Sequence, residues 1–216
     1  NRIVLLLALL VSTAVMGYYA SKIKLTYEFS KAVPIDNPRY TDYVAFKKTF
    51  GDDGNMMVIG IQSKEIFNIE KFRAYQHLHA QLKKVASVED ILSVPAAVQL
   101  IKDSSGEKLT AARIFPESIS SQQELDSLVS VFYNLPFYKS LLYNPETDAY
   151  LMGVRIDKDV LNSKERSLVI NNIANTVDSF SKATGIATHL SGLPLIRTVV
   201  ADRIQAEMKL FLIGSL

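Results

Sequence analysis

The stretch Ile3 to Ala20, IVLLLALLVSTAVMGYYA, decides how the rest of the chain is interpreted. It contains no charged residue, and Arg2 lies on one side of it and Lys22 and Lys24 on the other. At ~1.5 Å per helical residue it would extend roughly 27 Å, close to the ~30 Å hydrocarbon core of a bilayer. Backbone groups in lipid must hydrogen-bond to each other, which favours a helix. We predict a transmembrane helix over residues 1–22. The alternative is a cleaved secretory signal, whose apolar region is shorter.

The opposite end of the chain is also apolar. Asp202 to Lys209 has the composition of a charged helical turn or two, and Leu210 to Leu216 (LFLIGSL) then contains no charge. The chain begins with Asn1 rather than Met. We predict that residues 204–216 are the truncated start of a second transmembrane helix, although a buried terminal segment would have the same composition. Residues 23–203 then form a domain between two membrane segments.

Composition excludes several classes of function. The 216 residues contain 24 basic and 22 acidic side chains, giving a net charge of +2, and no dense Lys/Arg run. The electrostatic signature of nucleic-acid binding is therefore missing, and we predict no nucleic-acid partner. The absence of cysteine excludes disulfides, thiolate metal sites and cysteine nucleophiles. The length suffices for one or two domains.

Two strand-helix-strand units are predicted, at roughly residues 51–95 and 121–192. In the first, Met56 to Ile61 is a short apolar run typical of a buried strand, and Val88 to Val94 is a second strand that Pro95 ends. Between them, apolar residues at spacings of three and four predict one buried helix face. That face consists of Ile69, Phe72, Tyr75, Leu78, Leu82 and Val85.

The second unit follows the same logic. Ser121-Gln-Gln-Glu124 is a capping box, which predicts a helix start. Tyr150 to Ile156 is a predicted strand, a long helix follows from about Ser163 to a stop at Gly185, and Ala187 to Ser191 is the last strand. Two such units favour an α+β domain. For residues 95–116 we predict a short helix followed by a loop at 103–106.

The order of these features resembles the first extracytoplasmic loop of RND-superfamily exporters, in the branch of the MMPL-like and hydrophobe/amphiphile efflux transporters. The likeness covers nearly the whole chain and depends on order and spacing rather than on any single motif. The matching pieces after the first helix are Pro34-x-Asp36-x-Pro38, Phe50-Gly51, Asn55-Met-Met-Val-Ile-Gly-Ile61, Leu135-Pro-Phe137 and Gly192-Leu-Pro194.

This resemblance implies a periplasmic porter domain of ferredoxin-like βαβ subdomains, held at the bacterial inner membrane. The whole protein would be a proton-driven exporter of lipids or other hydrophobic or amphiphilic molecules. Its partners would be membrane lipid, that substrate, the rest of the same transporter chain, and a homo-oligomer or envelope protein. The proton relay of the family would lie outside this fragment. The alternative is a singly anchored periplasmic ligand-binding or scaffold module.

The polar motifs predict neither an enzyme nor a metal or cofactor site. His77 and His79 lie two positions apart, so a helix would place them on different faces. Asp52 to Asn55 lacks the spaced oxygens and the closing Glu of an EF-hand. A hydrolase would have to use His189 near Ser191, but no Gly-x-Ser-x-Gly elbow is present. We therefore assign no catalytic, cofactor-binding or metal-binding residue.

One aromatic run is a candidate for the substrate path. Val131 to Tyr138 reads VFYNLPFY, and apolar ligands bind against concave apolar walls. Pro136 can bend the backbone there. The candidate substrate-path residues are Phe132, Tyr133, Phe137 and Tyr138. Packing in the core is the alternative for all four.

Overall fold

A computed structural model describes residues 2–20, 22, 34, 36–51, 54–102 and 108–215. Helix α1 spans Arg2–Ala20. Its window Arg2–Tyr19 is long and apolar enough to cross a membrane, and none of it is buried against the rest of the protein. A membrane helix must be long, apolar and not buried against the rest of the protein, and an N-terminal signal sequence meets the same criteria.

Helices and strands are interspersed along the rest of the described chain. In chain order they are α2 Pro38–Phe50, β1 Met56–Gln62, α3 Ile69–Lys83, β2 Val88–Leu92, β3 Val98–Lys102, β4 Leu109–Arg113, α4 Gln122–Tyr133, β5 Tyr143–Asn144, β6 Ala149–Ile156, α5 Lys158–Leu161, α6 Arg166–Thr184, β7 Ala187–Ser191 and α7 Leu193–Ser215. The predicted α+β class is confirmed. Each predicted strand-helix-strand stretch contains a strand, a helix and a strand.

The main sheet has the strand order β2-β6-β1-β7, and all neighbouring strands are antiparallel. Strand β5 also pairs with β6. Strands β1 and β2, joined through α3, are therefore parallel, and β6 lies between them. Strands β6 and β7, joined through α5 and α6, are likewise parallel with β1 between them. The two units are interleaved, so neither unit forms a sheet without the other.

The core lies between one face of this sheet and helices α3 and α6. Burial alternates along β1 and β6, as expected when successive side chains point to opposite faces of a strand. Full burial of one large apolar side chain contributes about 1.5–3 kcal/mol. The buried set on these elements includes Met57, Ile59, Ile61, Met152, Val154, Ile156, Phe72, Tyr75, Leu78, Leu82, Ile170, Ile173, Val177 and Phe180.

The helix ends follow the local sequence. The side chain of Asn68 accepts a hydrogen bond from the Glu70 N–H group and so caps α3. Ser121 accepts from the Glu124 N–H group at the start of α4, and the Glu124 carboxylate accepts from the backbone N–H of Ser120. The predicted capping box is therefore present, with its returning bond one residue earlier than the motif places it. Gly185 ends α6 in the left-handed conformation at φ 68°, as predicted.

The prediction for residues 95–116 is wrong in its first part. A single 3-10 turn at Val94–Ala96 is followed by an antiparallel hairpin of β3 and β4 rather than by a short helix. A five-residue stretch such as Val98–Lys102 is too short for its sequence period to distinguish helix from strand, and pairing with Leu109–Arg113 decides the outcome. The predicted loop at 103–106 lies outside the described residues.

Helix α7 leaves the sheet through a turn that only glycine fits. Gly192 has φ 119°, and a Cβ atom there would lie 2.6 Å from the Met56 carbonyl oxygen of β1. Thr198 is buried, and Ser167 of α6 donates a hydrogen bond to Asp202 over 3.1 Å. The predicted second membrane segment, 204–216, begins inside this continuous helix. Among the described residues only α1 meets the criteria for a membrane span, so the second span stays a prediction.

Candidate functional site: an aromatic cluster and the hairpin it holds

Two of the four predicted substrate-path residues lie in the core. Phe132 is on the inner face of α4 with no exposed surface, and Tyr138 is only 5% exposed. Their rings stack with centroids 5.3 Å apart at 25°. Pro136 begins a 3-10 turn that folds Tyr138 back onto α4. For Phe132 and Tyr138, packing in the core is thus the observed arrangement.

Tyr133 lies at the border of this cluster. It is one position further around α4 than Phe132, and its side chain is 39% exposed. Its hydroxyl is 2.9 Å from that of Tyr150 on β6, close enough for a hydrogen bond. Burial raises the pKa of both Tyr133 and Tyr150, so both hydroxyls stay protonated at neutral pH. The pair joins α4 to the sheet without placing a charge there.

Phe137 is the exposed member of the four. Its side chain is 72% exposed, and its ring packs edge-to-face with that of Tyr138, with centroids 5.3 Å apart. An exposed phenylalanine held on a turn contributes little to the core. It is therefore the predicted residue best placed to contact something outside this domain.

The hydroxyl of Tyr138 fixes the β3–β4 hairpin to the core. It accepts a hydrogen bond from the Val98 N–H group over 2.9 Å and donates one to the Val98 carbonyl over 2.8 Å. Val98 is the first residue of β3 and pairs with Arg113. Because both backbone groups of Val98 bond to the tyrosine, its hydroxyl takes the place of a neighbouring strand at this edge of the hairpin.

Apolar side chains of the hairpin face outward. Leu100 and Leu109 are 66% and 63% exposed, and Ile101 is 45% exposed. We call Leu100 and Leu109 the hairpin surface, because Ile101 pairs with Thr110 on the other face of the hairpin. The register places Leu100 opposite Ala111 and Leu109 opposite Lys102, so both leucines lie on one face. Exposed apolar side chains on one face are candidates for contacts with proteins, membranes or apolar ligands.

His77 and His79 of α3 have different hydrogen-bonding neighbours. His77 lies 3.1 Å from the side-chain nitrogen of Gln81, whereas His79 hydrogen-bonds to Ser93. The candidate loop at Asp52 and Asp53 lies outside the described residues. Within the part of the chain that the structure describes, no three His, Asp or Glu side chains come together as a metal site would require.

One serine–histidine pair escaped the sequence analysis. Ser93, at the end of β2, is fully buried, and its hydroxyl lies 2.9 Å from Nδ1 of half-buried His79 on α3. Burial lowers the pKa of His79, with a further contribution from Lys83 and Arg113. A fully buried hydroxyl cannot reach a substrate, so this pair fastens α3 to the sheet. No motif marks it, because the partners come together only through the fold.

His189 and Ser191, the pair weighed for a hydrolase, are both exposed on the edge strand β7. No hydrogen bond joins them in the described part of the chain. No protein-family model matches this chain, and no curated protein matches it.

Proposed function

We propose that this chain is the first membrane helix and the first periplasmic porter domain of a proton-driven exporter. The cargo is a lipid or another hydrophobic or amphiphilic molecule, and the family is the MMPL-like branch of the RND superfamily. The protein lies in a bacterial inner membrane with its main domain in the periplasm. The domain supplies walls of the substrate path, which open and close as the membrane helices move. Proton transfer takes place elsewhere in the transporter.

The observation that carries this proposal is the strand order, read together with the position of α1. Interleaved strand-helix-strand units in the order β2-β6-β1-β7 are compatible with the ferredoxin-like βαβ subdomain that the family resemblance implies. This unit follows a helix long and apolar enough to span a bilayer. Helix α7 then leaves the sheet with apolar residues at its far end, where Leu210 and Phe211 are 71% and 75% exposed.

The aromatic cluster of Phe132, Tyr133, Tyr138 and Tyr150, together with Phe137, supports the proposal that this domain supplies walls of the substrate path. A wall that binds an amphiphile must expose apolar side chains to the substrate path. The hairpin surface and Phe137 provide such side chains, and Tyr138 connects the two through its ring and its hydroxyl. Phe132 stacks on Tyr138, and the hydroxyl pair of Tyr133 and Tyr150 joins α4 to the sheet. Phe137 and the hairpin surface are accordingly the proposed wall of the path.

The first test is the reading frame beyond Leu216. We expect it to continue through several further apolar spans, with a second large loop and acidic residues inside the middle spans. A frame that ends within a few codons, or continues as a soluble domain, would exclude the exporter.

The wall residues are tested in the full transporter. Phe137→Ala should reduce transport at normal expression, because it removes exposed apolar contact without disturbing the core. The matched control is Leu168→Ala, which truncates a 63% exposed apolar residue on α6. Equal transport by both variants and the wild type would remove Phe137 from the path.

A singly anchored periplasmic binding or scaffold module is the second candidate. One observation favours it, since α1 alone meets the criteria for a membrane span among the described residues. In that case Phe137 and the hairpin surface would contact a protein or ligand instead of a transported molecule. The continuation of the reading frame distinguishes the two candidates directly.

A further inference from the structure

A polar groove lies between the C-terminal end of α3 and the middle of α6. It is an open surface groove with a volume of ≈ 450 Å³. Only Val85 and Ala86 contribute apolar side chains to it. The polar lining consists of Gln81, Lys84, Asn172, Asn175, Thr176 and Ser179. None of these residues belongs to the aromatic cluster or to the hairpin.

Hydrogen bonding within α6 determines what the groove offers a ligand. The Thr176 hydroxyl donates to the Asn172 carbonyl over 2.7 Å, and the Ser179 hydroxyl donates to the Asn175 carbonyl over 2.8 Å. Both hydroxyl protons are thus used, and both oxygens remain as acceptors. The exposed side-chain amides of Asn172 and Asn175 make no hydrogen bond within the described residues. The groove therefore presents several acceptors and two unused amide groups side by side.

The charge in the groove is positive. Lys84 is its only charged residue, and its ammonium group forms no ion pair in the described part of the chain. The carboxylate of Asp178 on α6 forms an ion pair with Lys182 of the same helix, at 2.6 Å. A ligand that carries one negative charge would therefore meet Lys84 without competition from these groups.

The sequence of α6 gives an independent reason to regard this surface as selected for binding. Asn, Thr and Ser form helices less readily than Ala, Lys or Glu, and exposed helix positions impose no packing requirement. The groove nevertheless receives Asn172, Asn175, Thr176 and Ser179 from one face of a single helix. Such departures from local preference without a structural gain concentrate at functional sites.

We propose that this groove binds a carbohydrate that carries a carboxylate, an acidic sugar unit. Sugar hydroxyls donate to the oxygens of Thr176 and Ser179 and exchange hydrogen bonds with the two asparagine amides. The carboxylate faces Lys84, and the C–H face of the ring rests on Val85. This inference does not depend on the proposed exporter function.

The test uses the full chain in detergent micelles, titrated with D-glucuronate and separately with D-glucose, and followed by amide NMR. Saturable glucuronate shifts should be confined to α6 around residues 172–179 and to the end of α3. Asn175→Ala should weaken glucuronate binding about tenfold, the effect of losing a pair of ligand hydrogen bonds. Lys84→Gln should lower glucuronate affinity to that of glucose.

Two matched controls lie outside the groove. Asn171→Ala changes a neighbouring exposed asparagine of α6, and Lys83→Gln changes the preceding lysine of α3; both should bind glucuronate within about twofold of the wild type. Alanine is the better helix former, so the α6 variants keep their fold. The proposal is overturned if neither sugar gives saturable shifts, if controls and groove variants lose affinity equally, or if glucose binds as tightly as glucuronate.

Discussion

Replacing Tyr138 by Phe should release the hairpin while leaving the core intact. The phenyl ring keeps the stacked contact with Phe132, whose centroid lies 5.3 Å away. The hydroxyl disappears, and with it both hydrogen bonds to the backbone of Val98. The substitution therefore separates the anchoring role of this residue from its packing role.

The size of the effect follows from those two bonds. Each contributes about 0.5–1.5 kcal/mol net, and a backbone group left without a partner costs about 1–3 kcal/mol when it is buried. Val98 is 38% exposed, so water replaces part of what is lost. We expect the free energy of unfolding to fall by about 2 kcal/mol, which is substantial against a typical total of about 5–15 kcal/mol.

Urea unfolding of the full chain in mild detergent measures the global change, and hydrogen exchange of the Val98 amide measures the local one. Exchange at Val98 should accelerate about tenfold or more, because 1.4 kcal/mol corresponds to about a factor of ten. Tyr143→Phe is the matched control, since its ring also packs on Phe132 but its hydroxyl has no hydrogen bond in the described residues. If Tyr138→Phe behaves like this control in both assays, the anchoring role is refuted.

Three further predictions concern the turn, the buried histidine and the aromatic cluster. Gly192→Ala should lower the free energy of unfolding by at least about 2 kcal/mol, because φ is 119° and the new Cβ atom would clash with the backbone of β1. Gly185→Ala is the comparison: its φ is also positive, but no atom lies within 4 Å of the new Cβ atom, so the loss should be about 1 kcal/mol. Because burial lowers the folded-state pKa of His79, its contribution to stability is present above the unfolded pKa of about 6.5 and is lost as the pH falls through the folded-state pKa. His79→Gln should therefore weaken the pH dependence of the urea unfolding midpoint between about pH 7.5 and 5.5. An unchanged pH dependence in this variant would contradict the prediction. Phe132→Ala should lower the free energy of unfolding by about 3–5 kcal/mol in the same urea assay, because Phe132 is fully buried. Phe137→Ala should lower it by less than about 0.5 kcal/mol, because Phe137 is exposed. Similar losses for the two variants would contradict the assignment of Phe132 to the core and Phe137 to the surface.

Periodicity and capping were sufficient to predict most of the elements. Local sequence patterns predict the apolar helix face from Ile69 to Leu82 and the helix end at Gly185, and both are present in the fold. The hairpin was missed because β3 and β4 are short and their identity depends on pairing with each other. The order of strands in the sheet is likewise a property of contacts between distant residues, which spacing along the chain does not encode.

The candidate site was predictable in part. The run from Val131 to Tyr138 drew attention to this region, but it does not separate the exposed Phe137 from the buried Phe132 and Tyr138. That separation results from Pro136, which starts a tight turn, and from the position of Val98 across the fold. The Ser93–His79 pair and the α3–α6 groove have no sequence motif at all, since each is assembled from residues on separate elements.

The most direct test of the proposed function is transport by the complete protein in proteoliposomes, with a fluorescent amphiphile as cargo and an imposed pH gradient. We expect cargo movement that requires the gradient, stops when a protonophore collapses it, and falls in Phe137→Ala but not in Leu168→Ala. Movement that is independent of the gradient, or no movement by a correctly folded protein over a range of lipids and amphiphiles, would contradict the exporter proposal.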